Sequence, residues 1–124
     1  MLDARSRKRL EGVHPDLVRV IEAADEMTPL EFIVTEGVRT LARQQQLVAA
    51  GASKTLKSRH LTGHAVDLAV KVNGEIRWDW PLYGRLAGVV KEAAAKLGIA
   101  IEWGGDWRSF KDGPHFQLPV AKYP

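Results

Sequence analysis

The sequence predicts an α+β fold, in which helices flank a small antiparallel sheet. Segments with helical spacing and short β-branched segments mix along the 124-residue chain, and such a mixture favours a sheet covered by helices. Asn73-Gly74 separates two strand-like segments and is the strongest hairpin signal in the chain. A hairpin joins antiparallel strands, which argues against a doubly wound parallel sheet. Because the chain shows no internal repeat and no linker, we expect one domain over residues 1–124.

The first half of the chain predicts two helices with a strand between them. These elements are expected at residues 14–27, 31–37 and 41–50. Pro15 suits the first turn of a helix, and the apolar residues after it recur at helical spacing. The β-branched segment that follows ends at Gly37, as a short strand does. Thr40 can cap the second helix, and Gly51 is a favourable residue just past its end.

The second half predicts a hairpin, a long helix and two further short strands. Strands are expected at residues 64–72, 75–80, 99–103 and 114–118, a helix at 81–98, and loops at 51–59 and 104–113. In the first of these strands Asp67 alternates with alanines on one side, opposite a row of valine and leucine. The long helix is amphipathic and reaches Gly98, which suits a C-terminal cap.

The composition excludes several functional classes. The chain has no cysteine, which rules out thiolate nucleophiles, disulfide chemistry and cysteine-bound zinc. No apolar run reaches the roughly 18–20 residues that span a membrane, so we expect no membrane insertion. The net charge of +3 favours encounter with polyanions, but the cations lack interleaved aromatic residues, so we expect no nucleic-acid partner. No signal peptide is visible, which predicts a cytoplasmic protein.

Candidate metal ligands lie in the segment SRHLTGHAVD, which covers residues 58–67. Two histidines four apart would share one face of a helix, as in the HExxH motif of zincins. His60 and His64 have that spacing, but Leu61 stands where the motif requires glutamate. Gly63 and the strand pattern after it also disfavour a helix. The pair is therefore not expected to form a zincin site.

A better set combines His60 with Asp67 from the following strand and with the distant His115. Imidazole nitrogen and carboxylate oxygen are zinc ligands, and a catalytic site keeps one position for water. Asp112 lies three residues before His115 across a Gly-Pro turn, where it could place a general base beside the metal. The alternative is a hydrogen-bonded loop histidine beside a strand-edge aspartate, although an aspartate buried without a partner is costly.

Four motifs in this order resemble those of zinc-dependent peptidoglycan peptidases, the VanY and D-Ala-D-Ala peptidase group. SRHLTGHAVD is similar to the family signature SxHxxGxAxD, DGPHF to its second histidine motif, and EGVRTLARQQQL to an upstream GxRxxxxQxxL segment. The segment WGGDWRSFKDGPHFQ looks most like the phage L-alanyl-D-glutamate endopeptidases. The resemblance spans roughly residues 30–118, most of the chain.

The resemblance implies a Zn²⁺ site with a catalytic acid/base. Its ligands would be His60, Asp67 and His115. Asp112 would accept a proton from water and pass it to the leaving amine. His64 falls at a variable place in the signature, so we expect it to lie outside the ligand set.

The resemblance also implies substrate-binding residues. Arg39 would be a catalytic cation that steadies the substrate carbonyl or a substrate carboxylate, with Gln44 in support near the site. Trp103 and Trp107 flank a Gly-Gly turn. Both could be core residues, but the resemblance favours the wall of a substrate cleft, with Trp103 in contact with the substrate.

The implied fold is that of the hedgehog and D,D-peptidase group, and the implied activity is hydrolysis of the peptidoglycan stem peptide at its L-alanyl-D-glutamate bond. We expect a monomeric phage or prophage lysin without a separate wall-binding domain, held in the cytoplasm until a holin pore releases it to the wall. Two alternatives stay open: a D-alanyl-D-alanine carboxypeptidase or dipeptidase, and a non-catalytic zinc-containing module that binds the wall. The presence of Asp112 and Arg39 argues against the second.

Overall fold

The computed structural model describes residues 2–53, 55 and 57–124. Within them the helices are α1 (Ala4–Arg9), α2 (Pro15–Met27), α3 (Leu41–Ala49) and α4 (Trp80–Leu97), and the strands are β1 (Glu31–Glu36), β2 (Ala65–Val72), β3 (Glu75–Arg77), β4 (Glu102–Trp103) and β5 (His115–Gln117). Single turns of 3-10 helix lie at Arg59–Thr62 and Gly104–Asp106. The predicted loop 51–59 contains residues 54 and 56, which lie outside the described residues.

The strands form one antiparallel sheet, which confirms the predicted α+β fold. The central strand β2 pairs with β1 along one edge and with β5 and β3 along the other, and β4 extends the sheet beyond β5. The register sets Asp67 of β2 opposite His115 of β5 and opposite Glu36 of β1. The β1 register shifts between Val34 and Glu36. The sheet therefore brings residues from three strands to one point.

The hydrophobic core lies between the sheet and helices α2 and α4. Each helix buries the apolar face that its helical spacing predicts. The predicted alternation along β2 puts Val66 and Leu68 in this core, but Ala65 and Ala69 on the opposite face are equally inaccessible. Asp67 keeps partial exposure within this buried stretch of the strand. A carboxylate at such a position needs partners, and the site described below supplies them.

The predicted strand over residues 75–80 is too long. Strand β3 ends at Arg77, and the chain then turns into α4, whose N-cap is Asp79 and whose first residue is Trp80. Pro81 occupies the first turn, where its missing N–H leaves no helical hydrogen bond unmade. The aromatic residues that suggested a strand therefore belong to a helix start.

Two short elements also differ from the sequence prediction. The predicted strand 99–103 is reduced to β4, whose two residues are held by pairing with β5. Helix α1 was not predicted, because its six residues are mostly polar and basic and carry little apolar periodicity. Asp3 caps this helix by accepting the backbone N–H of Ser6 at 2.8 Å. The cap of α1 is a local hydrogen bond and the pairing of β4 is between separate segments, and a periodicity argument detects neither.

Candidate metal centre and cleft

His60 lies in a single turn of 3-10 helix that precedes β2. Ser58 caps this turn by accepting the backbone N–H of His60 at 3.2 Å, and Gly63 ends it in the left-handed region with φ 78°. A side chain at Gly63 would also collide with the backbone carbonyl of Gly12. Because the turn stops at this glycine, His60 and His64 do not share the face of a continuous helix.

His64 lies apart from the ligand group that the described residues form. Its Nδ1 is 2.7 Å from Thr62 Oγ1, and its ring centroid is 5.5 Å from that of His14. Burial lowers the pKa of His64, and the neighbouring Arg59 and His14 lower it further. The exclusion of His64 from metal binding stays a prediction that a variant can test.

Three side chains that are distant in sequence converge at the centre of the sheet. Asp67 Oδ1 lies 3.4 Å from His60 Nε2 and 3.4 Å from His115 Nδ1. Their candidate ligand atoms all lie within 4.8 Å of one another. His60 and His115 are buried, and their rings meet edge to face with centroids 5.1 Å apart. These are the three residues for which the sequence predicts metal binding.

Hydrogen bonds on the far side of each imidazole set its orientation. His60 Nδ1 is 2.8 Å from the carbonyl oxygen of Gly37, which can only accept, so Nδ1 carries the proton and Nε2 faces Asp67. His115 Nε2 is 2.7 Å from Gln117 Oε1, which leaves Nδ1 toward Asp67. Such outer partners are typical of metal-binding histidines, because they select the tautomer and hold the ring in place.

Two buried atoms in this cluster have no hydrogen-bond partner among the described residues, namely His60 Nε2 and Asp67 Oδ1. Buried polar atoms are seldom left unpaired, because their desolvation is costly. Zinc ligands about 2.1 Å from a tetrahedral centre lie about 3.4 Å apart. The distance from Asp67 Oδ1 to each imidazole nitrogen is likewise 3.4 Å. The residues present therefore fit a metal ion.

The charges in the cluster keep Asp67 in the ionised form that binds a metal cation. Burial raises the pKa of Asp67, but the neighbouring imidazoles of His115 and His60 outweigh it and hold that pKa well below its usual range. Burial lowers the pKa of His115, but the Asp67 carboxylate outweighs it and raises that pKa above its ordinary value. Asp67 therefore remains ionised at neutral pH.

The guanidinium of Arg39 forms an ion pair with the second carboxylate oxygen of Asp67, Oδ2. Its Nη2 lies 3.5 Å from Asp67 Oδ2, its Nε donates to Glu36 Oε1 at 2.6 Å, and its Nη1 donates to Gln44 Oε1 at 2.7 Å. The Arg39 backbone N–H also donates to the carbonyl of His60 at 2.9 Å. The side chain is only 8% exposed, although it lines the cleft in front of the cluster. Arg39 thus touches two of the three candidate ligands.

Gln44 lies behind Arg39 and is fully buried on α3. Its amide nitrogen donates to Ser53 Oγ at 2.8 Å and to the carbonyl of Thr55. The residues that line the cleft within the described chain do not include Gln44. Its predicted contact with substrate stays a prediction, and the contact that the structure shows is with the Arg39 guanidinium.

Replacing Gln44 by leucine should lower the free energy of unfolding by about 1.5–3 kcal/mol, the range for a hydrogen bond to a charged group. Leucine has a similar size but leaves Arg39 Nη1 without its acceptor. Gln45→Leu is the matched control, because Gln45 is exposed one residue further along the same helix. Urea unfolding of both variants measures the difference, and equal stabilities would show that the buried amide does not hold Arg39.

Asp112 lines the same cleft from the loop between β4 and β5. Its backbone N–H donates to the carbonyl of Gly104 at 3.0 Å, and its carbonyl accepts from the His115 N–H at 3.2 Å. Burial raises the pKa of the Asp112 carboxyl, and the negative charge of Asp67 raises it further. A carboxyl with a raised pKa beside a metal centre suits a group that gains and loses a proton during reaction.

The aromatic residues near the cleft differ in their positions. Trp107 and Phe110 line it. Trp103 does not belong to its lining within the described residues, because its indole N–H donates to the carbonyl of Gly113 at 2.7 Å and its ring packs against Trp80. The substrate contact predicted for Trp103 stays a prediction. The aromatic side chains that line the cleft among the described residues are those of Trp107 and Phe110.

The profile of the phage L-alanyl-D-glutamate peptidase family matches residues 1–118. The chain belongs to this family. It is 36% identical over 111 residues to the L-alanyl-D-glutamate peptidase of Escherichia phage T5, a match that covers 86% of this chain and 81% of the relative.

Solved structures place this member of the phage peptidase family in the expected fold group. The crystal structure of the L-Ala D-Glu endopeptidase ChiX of Serratia marcescens superimposes with a TM-score of 0.94 at 51% identity, covering 100% of this chain and 94% of that one. The vancomycin-resistance D,D-dipeptidase VanXYg superimposes with a TM-score of 0.56 at 19% identity, covering 90% of this chain and 53% of that one. The second likeness concerns the fold alone and confirms the predicted D,D-peptidase-like architecture.

Sequence reasoning did not select Glu36, Phe110 or Gln117, all of which line the cleft of this peptidase-family chain. Glu36 begins the motif EGVRTLARQQQL, and its position three residues before Arg39 could have indicated that it lies near the site. Gln117 follows His115 by two residues, which on a strand puts both side chains on one face. Nothing in the local sequence of Phe110 indicates its position, which depends on the path of a loop.

Proposed function

We propose that this protein hydrolyses the L-alanyl-D-glutamate bond in the stem peptide of peptidoglycan. One observation carries the proposal. His60 Nε2 and Asp67 Oδ1 are buried without a hydrogen-bond partner among the described residues, and they face each other beside His115. This arrangement occurs in a chain of the phage L-alanyl-D-glutamate peptidase family. The names of the phage T5 and Serratia relatives support the same bond.

We propose zinc as the resident metal. Two imidazole nitrogens and one carboxylate oxygen match a catalytic zinc site, which leaves its fourth position for water or substrate. When bound, such an ion polarises the scissile carbonyl and makes water more acidic. Two hydrogen bonds orient the imidazoles that would hold this ion, because His60 Nδ1 donates to the carbonyl of Gly37 and His115 Nε2 donates to Gln117 Oε1.

The residues of the cleft have distinct tasks in the proposed hydrolysis. Asp112 accepts a proton as the oxygen of water bonds to the alanyl carbonyl carbon. It then delivers that proton to the glutamyl nitrogen as the carbon–nitrogen bond breaks, so that a carboxylic acid and an amine are released. Arg39 holds Asp67 in place from behind and, at the cleft surface, adds positive charge near the developing oxyanion.

Digestion of purified cell wall tests the proposal directly. We expect soluble fragments with new C-terminal L-alanine and new N-terminal D-glutamate by mass spectrometry, with loss of cleavage in chelator and recovery on addition of zinc. Release of D-alanine would instead identify a D-alanyl-D-alanine carboxypeptidase. Wall binding without any new termini would identify a non-catalytic module, and unchanged cleavage in chelator would contradict the metal.

Several expectations about the protein in the cell stay predictions. These are the monomeric state, the single domain without a separate wall-binding domain, the lack of a nucleic-acid partner, and release from the cytoplasm through a holin pore. Among the described residues, no helix combines the length and apolar character needed to cross a membrane. Peptidoglycan is the proposed partner, because the L-alanyl-D-glutamate bond in the relatives' names belongs to its stem peptide.

A further inference from the structure

The loop over residues 104–113 carries two aromatic rings to the cleft and is fastened at its base. The Asp112 N–H donates to the carbonyl of Gly104 at 3.0 Å, and Lys111 Nζ donates to the carbonyl of Gly105 at 3.3 Å. Both bonds join the beginning of the loop to its end. The segment between them includes Trp107 and Phe110, which both line the cleft.

Phe110 has an unusual backbone for an aromatic residue. Its φ is 53°, in the left-handed region that bulky residues rarely adopt, and its side chain is 46% exposed. Among the described residues, the other non-glycine residue with positive φ is Asn73, also at 53°, in a hairpin turn where asparagine is favoured. A strained backbone that presents a half-exposed apolar ring at a cleft is typical of a functional position.

The two rings line the cleft, and one of them lies beside the candidate metal centre. The ring centroid of Trp107 is 5.0 Å from that of the candidate ligand His115, and Phe110 lies on the same cleft. Glu36 and Arg39 also line this cleft, so it has both a charged and an apolar part. Aromatic faces carry partial negative charge, which favours contact with C–H groups and disfavours carboxylates.

The two residues that flank the scissile bond also differ in polarity, one being apolar and the other charged. L-Alanine presents a methyl group, whereas D-glutamate within the stem peptide presents a free carboxylate. We propose that Phe110, with Trp107, forms the subsite that binds the alanyl side of the bond and recognises its methyl group. This inference rests on the proposed function and extends it to the residues that determine specificity.

The test compares two soluble stem peptides, one with L-alanine and one with glycine before D-glutamate. We expect wild type to favour the alanine peptide by about 10-fold in kcat/KM. This is the low end of the range for one methyl group in an apolar pocket, and we expect the low end because Phe110 is half exposed. Phe110→Asn should bring this ratio down to about 1–3-fold, since it removes the ring. Asparagine also suits the left-handed backbone, as it does at residue 73. Phe110→Tyr, which keeps the ring, should retain the wild-type ratio.

Trp78→Asn is the matched control, because Trp78 is an exposed aromatic residue (61%) that stacks on Tyr83 and lies outside the cleft lining. It should leave the ratio at the wild-type value. Thermal unfolding of each variant confirms that it is folded. An unchanged ratio in Phe110→Asn, or equal cleavage of both peptides by wild type, would overturn this inference and leave the proposed function standing. A wild-type protein that cleaves neither peptide nor cell wall would contradict both.

Discussion

Replacing Asp112 by asparagine is expected to lower the rate of wall digestion about 10²–10⁴-fold, the usual contribution of a general acid/base, while the protein keeps its metal. Asparagine preserves the size of the side chain but cannot accept the proton that hydrolysis releases. Asp112 lies outside the ligand group of His60, Asp67 and His115, so metal content should not change. Elemental analysis and digestion rate measured on one preparation separate the two properties.

The control for this variant is Asp106→Asn in the same loop. Asp106 is exposed and pairs with Lys91 at 2.6 Å, away from the cleft lining. It should retain the wild-type rate. An Asp112→Asn protein that digests wall at a near-normal rate would show that another group accepts the proton, and Glu36, which also lines the cleft, would be the next candidate. Loss of metal in Asp112→Asn would make Asp112 a ligand.

Replacing His60 by alanine is expected to remove both the metal and the activity. The change deletes one of the three side chains that converge on the centre and leaves Asp67 Oδ1 facing a single imidazole. Changes to residues that merely orient ligands weaken metal binding about 10–100-fold, so loss of a ligand should weaken it by at least about 100-fold. Metal content per chain, expected at one in wild type, is the measurement.

His64→Ala provides the comparison for His60→Ala within the same segment. The two histidines are four residues apart, but His64 contacts Thr62 and His14 and lies outside the ligand group. Its variant should bind one metal per chain and digest wall as wild type does. Equal loss of metal in the two variants would show that the ligand set is wrong.

The elements that could be predicted from the sequence are those whose signals are local. Asn73-Gly74 predicts the hairpin between β2 and β3 because its turn requires residues that accept positive φ. The apolar spacing of α2 and α4 predicts helices because a helix buries one face. Strand β4 could not be predicted at its true length, since its two residues are strand only through pairing with β5.

In the candidate site, too, some features follow from the sequence and others depend on the tertiary structure. The sequence by itself determined the chemical types available, because the chain has no cysteine and its motifs point to His60, Asp67 and His115. Only the tertiary structure decided how they meet, since the β2–β5 register sets Asp67 opposite His115, which is 48 residues away. It also decided which imidazole nitrogens face inward, through hydrogen bonds to Gly37 and Gln117. Such contacts depend on packing between distant segments, which local sequence patterns do not encode.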